Sequence, residues 1–362
     1  MNELRRTAEI RVGVVGFGYA AETFHVPLLR ATEGYRITMV ASRRGALLAD
    51  ALPGVVVVPD PLQLVGHPEV DLVVIASPND SHAQLAAAAL QANRHVVVDK
   101  PFTVTLAEAR QLAAAASRSG RVLSVFHNRR WDSDFLTVQR AVREGLLGRV
   151  AVLESRIDRF RPQVRDRWRE GGGRGAGLLY DLGPHLIDQA LVLFGAPDRV
   201  CATLAQQRAG GQSTDFVQVV LRYSERVVTL GASMLVSGGT ARFVVHGERA
   251  SLVKQKMDIQ EEQLRGGMLP GATSWGSDPD PAVLHDGATG HARTLPALPG
   301  DQREYYRSLR DAIHGRAPNP VPPAQACTCM AVLDAALRSA AEGRVVTPEL
   351  AEEERAAWAL PP

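Results

Sequence analysis

Short apolar runs separated by helical segments organise the first third of the chain. The runs lie at residues 10–15, 36–41, 55–58, 70–76, 95–98 and 122–126. Most are nearly continuous in apolar residues, which is typical of strands buried on both faces of a parallel sheet. Thr105 and Glu108 form a capping-box pattern at the start of one intervening helix. This alternation predicts an α/β domain with a doubly wound parallel sheet.

The pattern changes after about residue 128. A helix at 133–144 is followed by longer alternating strands near 150–158, 199–206, 216–223, 226–234 and 242–246. Strands without intervening helices predict an α+β domain whose sheet is mostly antiparallel. We expect residues 266–300, which are rich in Gly, Pro and Asp, to form a long surface excursion. Helices near 302–314 and 323–342 complete a chain with predicted domains 1–128 and 129–362.

Composition and charge narrow the possible function. A chain of 362 residues with 45% apolar residues can fill two cores, and a formal charge of +2 argues against a nucleic-acid partner. No apolar run approaches the length of a membrane span. The polar first eleven residues lack the apolar core of a secretion signal, so we expect a disordered tail and a cytoplasmic protein.

The three cysteines do not indicate a disulfide framework or a metal site. Cys327 and Cys329 are two residues apart in an Ala-rich, helical pattern, with no second Cys/His cluster nearby. At that spacing their side chains point apart, so buried small residues are favoured over a zinc site. Cys201 is isolated, and we expect no metal.

A glycine-rich turn follows the first strand and opens a helix. The fingerprint G-x-G-x-x-A comprises Gly16, Phe17, Gly18, Tyr19, Ala20 and Ala21. The first glycine allows a tight turn, and the second lets the backbone approach a pyrophosphate. The small last residue allows close helix–strand packing. In this strand–turn–helix context the motif predicts a dinucleotide site.

The end of the second strand favours NADP(H) over NAD(H). An NAD site usually carries an acid about 20 residues after the turn. Here the strand ends in Ser42, Arg43 and Arg44, and no acid appears before Asp50. A hydroxyl and two guanidiniums suit a 2′-phosphate. The alternative is a solvated turn without a ligand.

Three stretches carry candidate chemistry. Lys100 follows a predicted strand, at the sheet edge where ligands bind in open α/β folds. Asp181, His185 and Asp188 share one stripe of a predicted helix behind a glycine run. That stripe is either a solvated face or a site, and a metal site is disfavoured because a further ligand is missing. The arginine-rich stretch 159–169 could hold an anionic or polyhydroxylated substrate or cofactor phosphates, or could be a salt-bridged loop.

Several short motifs occur together in a specific order. They are the glycine fingerprint, Ser77-Pro78-Asn79 with His82, Asp99-Lys100-Pro101, Asn128-Arg129-Arg130, Trp168-Arg169, and Asp181-x-Gly183-x-His185-x-x-Asp188. Over nearly the whole chain this resembles the glucose–fructose oxidoreductase / inositol dehydrogenase / rhizopine catabolism (Gfo/Idh/MocA) family. Phe24-His25-Val26-Pro27 and Phe126-His127 are similar to its NADP-dependent scyllo-inositol dehydrogenase-like branch. Asp99 stands where the family usually has Glu.

The resemblance implies a Rossmann domain, an open-faced second sheet with subunit contacts, and a catalytic set of Lys100, Asp181 and His185. It also implies that Asp188 supports the substrate side. The expected cofactor contacts are Gly16, Phe17, Gly18, Tyr19, Ala20, Ser42, Arg43, Arg44, Ser77, Pro78, Asn79, His82, Asp99, Lys100, Pro101 and Asn128. The expected substrate contacts are Lys100, Arg129, Trp168, Asp181 and His185.

The predicted activity is NADP-dependent hydride transfer at a secondary alcohol of a cyclic polyol or sugar. His185 would take the hydroxyl proton, Lys100 would stabilise charge on the oxygen, and Asp181 would orient the pair. We expect a homo-oligomer, a dimer or tetramer formed through the second sheet. Two alternatives remain: an NADPH-dependent reductase of a non-sugar carbonyl, and a non-catalytic NADP-binding sensor. A sensor should have lost Lys100 or His185, and neither is lost.

Overall fold

A parallel six-stranded sheet forms the N-terminal half of the computed structural model, which describes residues 9–44, 48 and 52–358. Its strands are β1 (Ile10–Val15), β2 (Tyr35–Ala41), β3 (Val56–Val58), β4 (Leu72–Ile75), β5 (His95–Asp99) and β6 (Leu123–Phe126). The spatial order β3-β2-β1-β4-β5-β6, with every pair parallel, is that of a dinucleotide-binding fold. The predicted doubly wound sheet is confirmed.

Short helices connect these strands on both faces of the sheet. A π-helical turn (Ala21–His25) runs into α1 (Val26–Arg30), and α2 (Pro61–Val65), α3 (His82–Gln91) and α4 (Leu106–Ser119) follow. The Thr105–Glu108 capping box is present at the start of α4. The expected tail before residue 9 and Asp50 lie outside the described residues.

A second, eight-stranded sheet follows. Its strands are β7 (Val150–Arg156), β8 (Arg199–Ala205), β9 (Phe216–Arg222), β10 (Val227–Ser233), β11 (Phe243–Gly247), β12 (Ala250–Lys254), β13 (Ala282–Asp286) and β14 (Ala292–Leu295). Their order is β14-β13-β12-β11-β7-β10-β9-β8, and β7 and β10 are the single parallel pair within this described sheet. The sheet is therefore mostly antiparallel, as expected.

Six helices accompany the second sheet in the described part of the chain. They are α5 (Ser133–Arg143), α6 (Leu178–Phe194), α7 (Gln260–Arg265), α8 (Arg303–Ile313), α9 (Pro323–Glu342) and α10 (Glu352–Ala356). Helices α6 and α9 pack on one face of the sheet, and α9 also packs on α4 of the first domain. Cys327 and Cys329 are buried in α9. None of the described helices combines the length and apolar character of a bilayer span.

Helix α8 packs back onto the nucleotide-binding domain. The Tyr306 hydroxyl lies 2.6 Å from Nδ1 of His25, and Tyr305 donates a 2.9 Å hydrogen bond to Ser124. Both tyrosines are fully buried. The two sheets lie on either side of residue 128, but this packing shows that a C-terminal segment contributes to the first core.

The interpretation of residues 266–300 as a surface excursion is wrong in part. Strands β13 and β14 form an antiparallel hairpin there and extend the second sheet beyond β12. Each strand has only five or four residues, and Gly and Pro residues surround them. The main-chain hydrogen bonds offered by the edge of β12 explain why so short a segment becomes a strand.

Candidate functional site

A cleft of about 430 Å³ opens between the glycine turn and the second domain. Tyr19 and Ala20 line it from the turn, Lys100 from the end of β5, and Asp181 and His185 from α6. The carboxyl ends of parallel strands form the edge where open α/β sheets bind ligands. The structure thus brings Lys100 together with Asp181 and His185, although Lys100 and Asp181 are 81 positions apart in the chain.

Lys100 and Asp181 form an ion pair inside the cleft. The ammonium Nζ lies 3.0 Å from Oδ1 of Asp181 and donates a 2.6 Å hydrogen bond to its backbone carbonyl. Although burial raises the pKa of Asp181, the charges of Lys100 and Arg169 outweigh it and hold that pKa well below its ordinary value. Asp181 is therefore ionised and holds the Lys100 ammonium at the cleft.

His185 lies one helical turn beyond Asp181 on α6 and is 5% exposed. Its Nδ1 is buried with no hydrogen-bond partner among the described residues. Burial and the charges of Lys100 and Arg129 keep the pKa of His185 well below its ordinary value. The imidazole is therefore neutral near pH 7 and can accept a proton.

Asp188 does not line the cleft, and its support of the substrate side stays a prediction. Both of its oxygens accept hydrogen bonds from Arg130, at 2.6 and 2.8 Å. The residue is buried, and it shares the stripe of Asp181. Asp188, however, lies seven residues after Asp181, which is about 10 Å along the helix axis, since an α-helix rises about 1.5 Å per residue. Asp188 therefore anchors α6 to the segment after β6.

The glycine turn fits a dinucleotide. Gly16 has φ +86°, and a Cβ there would lie 2.9 Å from the carbonyl oxygen of Ala76, so the turn itself requires glycine. A Cβ at Gly18 would meet no atom within 4 Å. The open space above Gly18, at the start of the following helix, is where a pyrophosphate would approach the backbone.

The end of β2 lies beside this turn. The Arg44 guanidinium donates a 3.2 Å hydrogen bond to the carbonyl of Phe17, and the Arg44 amide donates to Oγ of Ser42 at 3.1 Å. Arg43 is exposed. Two arginines and a hydroxyl thus lie where the ribose of a bound dinucleotide would lie. These residues are outside the lining of the main cleft, as are Gly16, Phe17 and Gly18.

The other predicted cofactor residues divide into lining and supporting groups. Asp99 and Asn128 line the main cleft, and Asn79 and Pro101 line a smaller pocket that shares Lys100 and Asp181. His82 is buried, and its ring nitrogens lie 2.9 and 3.0 Å from the carbonyl oxygens of Pro101 and Ser77. It therefore joins two loops and has no free ring nitrogen. Ser77 and Pro78 lie outside both linings.

Of the two further predicted substrate contacts, only one lines the cleft. Arg129 does so, while paired with Asp132 at 2.9 Å and Glu261 at 3.0 Å. Trp168 lies outside the lining and is 39% exposed, with the Arg169 guanidinium 4.7 Å from its ring centroid. Trp168 thus lies behind Arg169, which itself lines the cleft.

Helix α7 contributes cleft residues that the sequence did not reveal. Glu261 accepts a 2.7 Å hydrogen bond from the Tyr19 hydroxyl and also pairs with Arg129. Arg265, one turn later, lines the same cleft. Tyr19 and Glu261 are 242 positions apart in the chain. Only the packing of α7 against the glycine turn brings them together, and no local motif could have signalled it.

No group of three or more His, Cys, Asp or Glu side chains within the described ranges is arranged to hold a metal ion. The cleft itself offers a neutral imidazole and an ammonium paired with a carboxylate, and it adjoins a groove that fits a dinucleotide. These groups suit proton transfer coupled to the redox chemistry of a nicotinamide.

Comparisons with known proteins agree with this geometry. Residues 10–127 match the model of the oxidoreductase family with an NAD-binding Rossmann fold, and residues 139–347 match its C-terminal alpha/beta domain. The uncharacterized oxidoreductase YdgJ of Escherichia coli is 50% identical over 91% of this chain and 96% of its own. The scyllo-inositol 2-dehydrogenase (NADP(+)) IolW of Bacillus subtilis is 34% identical over 95% of this chain and 98% of its own.

A solved structure shows the same architecture. An oxidoreductase from Klebsiella pneumoniae superposes with a TM-score of 0.90 at 48% identity and covers 96% of this chain and 98% of its own. Two family models that together span most of the chain, and relatives of this similarity, establish the family. The protein belongs to the Gfo/Idh/MocA oxidoreductase family, with an NAD(P)-binding Rossmann domain and the family's C-terminal α/β domain.

Proposed function

We propose that the protein is an NADP-dependent dehydrogenase that transfers a hydride between the nicotinamide and a secondary alcohol of a cyclic polyol or sugar. One observation carries the proposal: Lys100, Asp181 and His185 line one cleft with Tyr19 and Ala20 of the glycine turn. The inositol dehydrogenase named IolW, at 34% identity, supports the substrate class. Polar and charged side chains dominate the lining, which suits hydroxyl groups.

The bound dinucleotide would supply the hydride acceptor, and the protein's residues would orient the alcohol and move its proton. His185 would take the hydroxyl proton during oxidation, because its imidazole is neutral near pH 7. The Lys100 ammonium would stabilise the charge that develops on the oxygen. Asp181 would fix that ammonium through the 3.0 Å ion pair.

Ser42, Arg43 and Arg44 support a preference for the phosphorylated dinucleotide. Guanidinium groups bind phosphate with paired, charge-assisted hydrogen bonds, and Ser42, Arg43 and Arg44 at the end of β2 include no acid of the kind that an NAD site uses. We expect NADP(H) to bind at least about tenfold more tightly than NAD(H). Fluorescence titration of both reduced cofactors tests this.

An Arg43→Ala/Arg44→Ala variant should lose the preference while keeping its affinity for NADH. Arg36→Ala is a suitable control, because Arg36 lies on the same strand and pairs with Glu9 at 2.7 Å. Equal affinities of the wild type for both cofactors, or unchanged NADPH affinity in the double variant, would contradict the assignment.

We also propose that copies of this cytoplasmic enzyme associate through the open face of the second sheet. The strand registers align one row of side chains across that face, opposite α6 and α9. The row comprises Cys201, Val220, Thr229, Glu154, Val244, Val253, Val283 and Thr294. Most of its members are half-buried, and four are valines. A second copy would cover this apolar surface in a dimer or tetramer.

A further inference from the structure

The wall of the cleft opposite the glycine turn is strongly cationic. Among the described residues, eight cationic side chains and three carboxylates line the cleft, an excess of five positive charges. The cations are Lys100, Arg129, Arg159, Arg161, Arg165, Arg167, Arg169 and Arg265. Five of them come from one connection after β7, residues 159–169. Neutral polyols do not require this charge, so the excess needs another explanation.

The nearby carboxylates are already committed to other partners. Asp181 holds Lys100, and Glu261 holds Arg129. Glu170 accepts hydrogen bonds from Arg167 and lies 2.9 Å from a nitrogen of Arg208. Within the part of the chain that the structure describes, no carboxylate pairs within 4 Å with four cleft arginines: Arg159, Arg161, Arg165 and Arg265.

The arginine-bearing connection is held in place by buried contacts. Arg208 is 7% exposed and donates to the carbonyls of Arg161 and Gln163, at 3.2 and 3.3 Å. Its guanidinium also pairs with the buried Asp215 at 3.0 Å. The Glu170 carboxylate accepts the backbone amide of Arg165 at 3.1 Å. Hydrogen bonds from buried groups therefore hold the backbone of this connection, which forms a wall that presents arginines to the cleft.

Like charges crowd within this wall. Partial burial and the charges of Arg159, Arg165 and Arg167 lower the pKa of Arg161. The Arg161 guanidinium thus lies in the field of three other arginines, and Glu170 is the acid that opposes them. An anion in the cleft would remove this repulsion, and guanidiniums are the side chains best suited to bind carboxylate or phosphate oxygens.

The position of the wall indicates which molecule carries the anion. Arg169 lies 3.8 Å from Asp181, the residue that holds Lys100, so the wall adjoins the reacting groups. The groove for the dinucleotide's ribose, with Arg43 and Arg44, is outside the cleft lining. We propose that the substrate is a polyol or sugar bearing an anionic substituent, a phosphate or a carboxylate, which Arg161 and Arg165 bind. This rests on the proposed dehydrogenase function.

Matched pairs of substrates test the proposal with the cofactor-loaded wild-type enzyme. The pairs are myo-inositol with its 1-phosphate, glucose with its 6-phosphate, and glucose with glucuronate, each followed by NADP⁺ reduction. We expect kcat/KM to be at least about tenfold higher for the anionic member of at least one pair, and to fall as salt is raised. Comparing the pairs that differ by a phosphate with the pair that differs by a carboxylate shows which anionic group the arginine wall binds.

Arginine variants test whether the preference for the anionic substrate depends on Arg161 and Arg165. Arg161→Gln and Arg165→Gln should each raise KM for the anionic substrate about tenfold, with kcat within about twofold and the NADPH dissociation constant unchanged. Arg174→Gln is the matched control, because Arg174 is exposed five residues beyond this connection and pairs with Glu108 outside the cleft. Arg165→Lys keeps the charge and should recover part of the affinity if Arg165→Gln folds poorly.

Three results would overturn the proposal. If the enzyme turned over every neutral substrate as well as or better than its anionic counterpart, the proposed anionic substituent would be rejected. The proposed dehydrogenase function would still stand. A rise in the NADPH dissociation constant of the arginine variants, without a change in KM, would assign the wall to the cofactor's phosphates. Absence of NADP⁺ reduction with both members of all pairs would reject the polyol function and this inference with it.

Discussion

At the scale of single residues, the site depends on a lysine held by one carboxylate and a histidine kept neutral by its surroundings. Lys100 donates both to the carboxylate and to the backbone carbonyl of Asp181, so its ammonium has one defined position. The side chains of Lys100 and Asp181 are 13% and 20% exposed, so water can solvate the carboxylate that remains when Lys100 is replaced. His185 shares the field of Lys100 and Arg129, which disfavours its protonation.

The lowered pKa of His185 predicts the pH dependence of alcohol oxidation. The neutral imidazole is the active base, and it is present above the pKa of His185. Because that pKa lies well below 6.5, kcat/KM for oxidation should be flat from about pH 6.5 to 8 and fall only at lower pH. Asp181 stays ionised over this range, since its pKa is also lowered.

A profile of kcat/KM from about pH 4.5 to 8, at saturating NADP⁺, measures this. An acid limb centred at or above pH 6.5 would mean that the base is not a buried, cation-flanked imidazole. The profile of the Arg174→Gln variant should match that of the wild type, because Arg174 lies outside the cleft.

At the scale of elements, the turn between β1 and the first helix contains two glycines with different constraints. Gly16 is fixed by its φ of +86° and by the nearby backbone of Ala76. Gly18 has no such neighbour, so no packing contact within the fold requires a glycine at this position. Within this one motif, we therefore expect Gly16 to be needed for folding and Gly18 to be needed for cofactor binding.

The Gly18→Ala variant should fold normally and bind NADPH at least about tenfold more weakly, because its methyl group occupies the space that the pyrophosphate approaches. Gly16→Ala, in contrast, should lower the melting temperature, since it strains the backbone and meets the Ala76 carbonyl. Fluorescence titration and thermal unfolding of both variants measure the two effects. Wild-type NADPH affinity in Gly18→Ala would show that the dinucleotide does not approach this turn.

Local patterns predicted most elements, and two of the three residues in the predicted stripe on α6 line the cleft. The continuous apolar runs identified the parallel strands because both of their faces are buried. The spacing of Asp181 and His185 placed both on one face, but periodicity does not tell how far a stripe extends beyond the cleft, so it could not reveal that Asp188 pairs with Arg130. The hairpin β13–β14 was missed because its pairing with β12 is a tertiary effect, and Glu261 was missed for the same reason.

At the scale of the whole molecule, the second sheet has one covered and one open face. Helices α6 and α9 pack on the covered face, and α6 carries Asp181 and His185 to the cleft. The open face carries the row of half-buried side chains that includes Val220, Val244, Val253 and Val283. Association through that face would leave the cleft accessible, because the cleft lies on the side of α6.

The Val253→Glu variant should dissociate the assembly, because a carboxylate would replace an apolar side chain between Val244 and Val283 and would be buried in the interface. Sedimentation should then give the mass of one chain, where the wild type gives that of a dimer or tetramer. Val56→Glu is the matched control, since Val56 is 53% exposed on β3 of the other domain. A wild type that sediments as a single chain, or a variant that keeps the wild-type mass, would contradict association through this face.

The central claim is that Lys100 and His185 act on the substrate and are not needed for folding or cofactor binding. The most direct measurement compares Lys100→Ala and His185→Ala with the wild type in NADPH titration and in steady-state oxidation of a polyol or sugar that the wild type accepts. The account predicts folded variants with NADPH dissociation constants within a few-fold of wild type and kcat lowered by about 10²-fold or more. Wild-type turnover in either variant would contradict it.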